Sequence, residues 1–176
     1  LTPSQKNRVI SLTKNRKYHK LFSSVGDKLL GYKLWNFIKD IENKENKKFD
    51  LLISNLPSSD RVCSFLDNKR NIYYCIHTSY LQEILEFKKN KKEKRALKKE
   101  KLYKSLYKDK KLISVSNGII EDTNKLGVEY KSISTIYNPF NFDDLRSQGN
   151  EKPLLKLDYD YIICASAFRS VKRHDI

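Results

Sequence analysis

The chain has 176 residues, 39% of them hydrophobic, with five glycines and four prolines. That length supports one domain with a buried core, and the composition excludes collagen-like, linker-like and disordered chains. A formal charge of +15, carried mostly by lysine, calls for an anionic partner: nucleic acid, a membrane surface or a phosphorylated substrate.

Val9 to Leu12 is a short strand candidate, followed by the polar stretch TKNRKYHK. From Leu29 to Ile41, apolar residues at 30, 34, 35, 37, 38 and 41 fall at helical spacing. Trp35 and Phe37 on this helix are expected in the core or an interface. Phe49 to Ser54 predicts a strand, and NLPSSD after it predicts a loop. Ser59 or Asp60 is the expected cap of a helix running through Phe65. Ile72 to Ile76 predicts the next strand, ending on His77-Thr78-Ser79.

Residues 80–111 predict a helical stretch with a charged face. Leu112 to Ser116 predicts a strand and Ile119 to Leu126 a helix, with Gly127 stopping it. Ser132 to Tyr137 predicts another strand, ended by Pro139. NFDDLRSQG predicts a short helix with acidic residues in its first turn. Tyr161 to Ala165 predicts a last strand.

Strands and helices alternate, and the strands are short, continuous apolar runs. This predicts an α/β fold: a Rossmann-like parallel sheet flanked by helices on both faces. Ligands collect at the carboxyl ends of such strands, where Ser54-Asn55, His77-Thr78-Ser79 and Ser116-Asn117 are expected. Cys63, Cys75 and Cys164 are far apart and odd in number, which predicts a reducing cytoplasm and not a disulfide framework, and Cys75 and Cys164, inside apolar runs, are expected as buried thiols. No apolar run approaches the roughly 18 residues of a membrane span, and no signal peptide opens the chain. The lack of methionine and the end at Ile176 lead us to expect a fragment.

Three pieces of sequence in correct order, LISVSNGIIEDTNKLG, SISTIYNPFNFDDLR and YIICASAFRSVKRHDI, together resemble family 4 glycosyltransferases. These are retaining, nucleotide-sugar-dependent enzymes of the two-domain GT-B fold. CIHTS also resembles their first-domain loop, whose histidine approaches the donor sugar. The similarity runs from about Asp50 to Ile176. It implies an acceptor-side domain over residues 1–150 and the truncated start of the donor domain over 151–176. Three departures stand out. Asn141 replaces a usual aspartate, Ser166-Ala167 replaces a glycine-arginine pair in the phosphate loop, and no first-domain glycine-rich loop is present.

The resemblance implies that His77 is the catalytic contact to the donor sugar. Lys172 and Arg169 would bind the donor diphosphate as point charge and fork, and Ser54, Asn55, Thr78 and Ser79 would line the acceptor side. It implies sugar transfer from a nucleotide sugar to a glycan or lipid-linked acceptor of lipopolysaccharide or capsule, with no cofactor and no metal, and with the fragment alone inactive. The absence of a metal-ligand spacing in the sequence agrees with this. The plain alternatives are a histidine tied to backbone and solvated loop cations.

Residues 88–111 hold 13 basic residues against 3 acids, so most of the net charge is local. Lys88, Lys89, Lys91, Lys92, Lys94, Arg95, Lys98 and Lys99, with sparse leucines and tyrosines among them, suit a helix on an anionic membrane surface. That places the protein at the inner face of the membrane. The alternatives are a solvated helix face in a lysine-rich chain, a basic nucleic-acid-binding module, or a non-catalytic GT-B-like relative. Few arginines and no recognised motif argue against nucleic acid.

Overall fold

A computed structural model describes residues 23–66, 69–151 and Ser166. The expected strands at 9–12 and 161–165 lie outside them. By internal contacts the chain divides into two units, Leu1–Asn138 and Pro139–Ile176.

The first unit opens with helix α1 (Ser23–Glu45) and strand β1 (Leu52–Asn55), followed by α2 (Pro57–Cys63) and a 3-10 turn (Ser64–Leu66). Strand β2 (Ile72–Ile76) leads into α3 (Tyr80–Lys89) and α4 (Glu93–Tyr107). β3 (Lys111–Ser114), α5 (Asn117–Leu126) and β4 (Ser132–Thr135) follow. The single helical stretch expected over 80–111 is thus an antiparallel hairpin, broken at Asn90–Lys92, where Lys91 has φ 55°. Gly127 ends α5 with φ 75°, a backbone state that costs glycine nothing.

The four strands are all parallel and lie in the order β1-β2-β3-β4. Crossovers between parallel strands are right-handed almost without exception. Stepping always in one direction therefore puts every connecting helix on the same face. Burial agrees with this. Ile72, Tyr74 and Ile76 of β2 are buried, as are Leu112 and Ser114 of β3, while the alternate residues Tyr73, Cys75, Lys111 and Ile113 are only partly covered. On the same open side, Ile53 of β1 is 56% exposed. Among the described residues, then, one face is covered, not the two that the continuous apolar strands predict.

The core lies between the covered face and the helices. Ile84 of α3, Ala96, Tyr103 and Tyr107 of α4, and Ile119 and Leu126 of α5 pack with the β2 and β3 residues. Full burial of a side chain such as Ile84 or Leu112 stabilises the fold by roughly 1.5–3 kcal/mol. Helix α1 packs against α2 and the 3-10 turn. Gly31 permits that approach, since a Cβ there would sit 3.0 Å from the Phe65 Cβ and 3.1 Å from the Val62 carbonyl oxygen. Ion pairs fix the same junction: Arg61 to Asp27 at 2.9 Å, and Arg70 to the buried Glu42.

The second unit contains α6 (Phe142–Gly149). Asn141 caps it, accepting from the Asp143 and Asp144 amides at 3.2 and 3.3 Å. Its amide group also donates to Asp144 Oδ2 at 2.7 Å. Asparagine is among the residues preferred at such a cap.

Candidate functional site

Because all four strands run the same way, their carboxyl ends form one polar rim. Asn55 closes β1, His77-Thr78-Ser79 follows β2, Ser116-Asn117 follows β3, and Thr135 closes β4. β1 pairs with β2, Asn55 opposite Cys75. This brings the side chains of Asn55 and His77 together, with His77 Nε2 2.9 Å from Asn55 Oδ1. Both residues are exposed. With the Asn55 oxygen accepting, Nε2 carries the hydrogen and Nδ1 is left as the acceptor nitrogen.

The chain turns sharply just after Asn55. Leu56 has φ 80° and ψ 141°, a region that only glycine occupies at ease, and it stands 58% exposed. A backbone held there costs on the order of 1–3 kcal/mol. Pro57 then starts α2, which has no side-chain cap. Neither Ser59 nor Asp60 caps it as expected: Asp60 lies inside the helix and points into the core.

Ser54 does not reach the rim. It is 3% exposed, because side chains alternate along a strand and its neighbour Asn55 takes the open side. Its hydroxyl donates to Asp60 Oδ1 at 2.6 Å, and Tyr107 donates to Asp60 Oδ2 at 2.7 Å. Tyr107 also shares a hydrogen bond with Tyr80 at 2.8 Å. The Tyr80 ring stacks on Tyr103 with centroids 4.0 Å apart and on Tyr107 at 5.5 Å. Asp60 has no exposed surface. Its burial raises the carboxyl pKa above the ordinary 3.8, while the hydroxyls of Ser54 and Tyr107 and the charge of His77 pull it back. The same burial drives the Tyr80 and Tyr107 phenols up. Burial, aided by the Asp60 charge, likewise raises the Cys75 thiol, which makes it a poor nucleophile at neutral pH.

Ser79 caps α3, accepting from the Gln82 amide at 3.0 Å, and donates to Asp122 Oδ2 at 2.5 Å. Thr78 beside it is exposed. Further along the rim, Thr135 donates to Asn117 Oδ1 at 2.7 Å and lies 3.2 Å from the Ser114 hydroxyl. The structure therefore brings His77 and Asn55 into contact and places Thr78 and Ser79 next in line, while Ser54 supports them from below. Lys172 and Arg169 lie outside the described residues. Of the Ser166-Ala167 pair, Ser166 is exposed. Among the described residues no group of three histidine, cysteine or acidic side chains could hold a metal ion, and no helix is long and apolar enough to cross a membrane.

In the basic segment, Lys88, Lys89, Lys91, Lys92, Lys94, Arg95 and Lys98 are exposed. Lys99 is not part of that surface. It is partly covered and held by Glu83 at 3.0 Å and by the Tyr103 hydroxyl at 3.0 Å. Burial works to lower its pKa, but these contacts to Tyr103 and Glu83 prevail and raise it.

Tyr80, Tyr107 and Asp122 are residues that the sequence pattern did not single out for the site, and Asp60 was read there only as a helix cap. Tyr103 and Tyr107, one helical turn apart, were the available signal. An exposed imidazole, amide and hydroxyls in a row can donate and accept hydrogen bonds to a polyhydroxylated ligand. Compared with protein-family models, curated proteins and solved structures, the chain matches none of them.

Proposed function

We propose that this chain supplies the acceptor-side domain of a retaining, nucleotide-sugar-dependent glycosyltransferase of GT-B type. The observation that carries the reading is the exposed His77–Asn55 pair at the carboxyl ends of two adjacent parallel strands. It agrees with the resemblance of the CIHTS, SNGIIED and KRHD segments. In this reading His77 contacts the donor sugar, and Asn55 fixes the imidazole tautomer. Thr78 and Ser79 line the acceptor side. Asp60, buried and held by the Ser54 and Tyr107 hydroxyls, anchors the end of β1 that carries Asn55. Lys172 and Arg169, assigned by resemblance alone, neutralise the leaving diphosphate. The acceptor is a hydroxyl of a glycan or lipid-linked intermediate of lipopolysaccharide or capsule, made on the cytoplasmic side. No bound metal or cofactor takes part.

The test is turnover by the full-length protein across a panel of nucleotide sugars. His77→Ala is expected to lower the rate by roughly 100-fold, the usual weight of one positioned polar group, with the fold intact by circular dichroism. A second reading, a non-catalytic relative, is favoured by Ser166-Ala167 replacing the glycine-arginine pair. Absence of both donor binding and turnover in every case would establish it.

A further inference from the structure

The junction of α1 with the entry to β2 gathers cations that the rim chemistry does not use. Trp35, Lys39 and Glu42 stand at i, i+4 and i+7 of α1 and share one helix face. Lys69 and Arg70 come from the turn before β2, where both backbone amides donate to the Leu66 carbonyl, at 2.9 and 3.0 Å. Around the half-buried Trp35 ring lie the Lys39 ammonium, 5.2 Å from the centroid, the Lys69 ammonium at 4.9 Å and the Arg70 guanidinium at 4.8 Å. An indole face attracts each of these cations. Gathered around one ring, however, they lie no further apart than the Debye length of ~10 Å, so they also repel one another.

A single carboxylate answers them among the described residues. Glu42 is buried, its Oε2 accepts from Arg70, and its Oε1 accepts from the Phe49 amide at 2.9 Å. Lys39 and Lys69, both exposed, are left with no ion pair among the described residues. The Arg70 Nε–H is buried and has no acceptor there, although buried polar groups nearly always have one. Two uncommitted ammonium groups beside a guanidinium with a spare donor match a dianion rich in acceptor oxygens. A phosphoryl group near pH 7 carries a charge of roughly −1.5 to −2 and three such oxygens. A carboxylate offers one charge and two oxygens.

The cluster stands apart from the rim. Lys69 and Arg70 lie at the amino end of β2, and His77 follows the carboxyl end of the same strand. The five residues of β2 separate them by ~17 Å, at ~3.3 Å per residue.

We infer that Trp35, Lys39, Lys69 and Arg70 form a binding site for a phosphoryl group, carried by a small soluble phosphate ester or by free phosphate. The two ammonium groups and the guanidinium donate to the phosphoryl oxygens, and the indole holds the three cations together. The inference is independent of the glycosyl-transfer reading. The test is calorimetric titration of the full-length protein with inorganic phosphate, methyl phosphate and acetate at equal ionic strength. Both phosphates are expected to bind at least ~10-fold more tightly than acetate, and the tighter of the two identifies the source as free ion or ester. The emission of Trp35, the one tryptophan in the sequence, should change as the cations turn to the anion. Lys39→Gln with Lys69→Gln should weaken phosphate binding by roughly 10-fold, a few-fold for each exposed ammonium. Lys39→Gln alone should cost a few-fold. Lys125→Gln with Lys131→Gln, exposed on α5 and just before β4, is the charge-matched control and should cost less than ~2-fold, since distant surface charges are screened. Circular dichroism confirms the fold of each variant. The inference is overturned by no binding of either phosphate, by acetate binding as tightly, by unchanged Trp35 emission, or by an equal loss in the control.

Discussion

Ser54 and Asn55 are consecutive residues of one strand, both small and polar, and they meet opposite fates. Ser54 turns inward and joins Asp60, Tyr107 and Tyr80 in a set of hydrogen bonds, while Asn55 turns outward and meets His77. The inner set ties β1, α2, α3 and α4 together, and every member has a partner. The outer pair ties two strand ends and faces solvent. The difference teaches which polar groups a fold spends on its own stability and which it leaves available. A buried polar group is worth most when its partner is fixed and costs most when that partner is lost. An exposed one can exchange its partner for water or ligand at little cost.

The contrast is broken most forcefully at its buried end. Asp60→Ala orphans the Ser54 hydroxyl, leaves Tyr107 with Tyr80 alone and opens a cavity, so urea denaturation should show a loss of about 3 kcal/mol. A loss under about 1 kcal/mol would mean the inner set is not structural. The pH dependence sharpens the same point. The folded-state pKa of Asp60 is raised above 3.8, so the unfolded chain releases this proton first as pH rises. The stability it contributes is fully present below about pH 4 and is lost as pH climbs through the folded-state pKa. Wild type measured against Asp60→Asn, which does not titrate, should therefore lose relative stability in that window and level off above it. A gain with rising pH would refute the assignment.

At the junction of the two regions stands Leu56, strained and exposed. Leu56→Gly should raise stability by about 1 kcal/mol, since glycine tolerates that backbone and little burial is lost. If the change also impairs the sugar transfer proposed above, the strain is serving the position of Asn55. The smallest effect is expected at the outer end. His77→Ala should change unfolding free energy by less than about 0.5 kcal/mol, as exposed substitutions do. A cost above about 1 kcal/mol would make His77 one more structural group.

Much of this architecture was legible beforehand. The β2 run IYYCI was readable because isoleucine and aromatic residues at that length leave few options, and its bounds hold in the structure. Gly127 was legible as a helix stop for the same local reason. What the sequence hid was relational. Continuous apolar strands pointed to two covered faces, because periodicity records what a residue is suited for and not what lies over it. Asp60 read as a cap because serine and aspartate after a strand usually are; only the fold brings Tyr107, 47 residues away, to its carboxylate. His77 was legible by its place after the strand. Its partner Asn55 was named for the same rim, but their contact depends on strand pairing. Lysine count located the basic segment, yet Glu83, 16 residues before Lys99, removes that lysine from the surface.

The sequential strand order bears on how this unit assembles. Each strand pairs with the next one made, so no early segment has to wait for a distant partner to complete the ladder. Loop closure between neighbours is entropically mild, and topologies rich in such near-neighbour pairings fold faster than those that interleave. The sheet can therefore grow one β-α step at a time while the polypeptide is still leaving the ribosome.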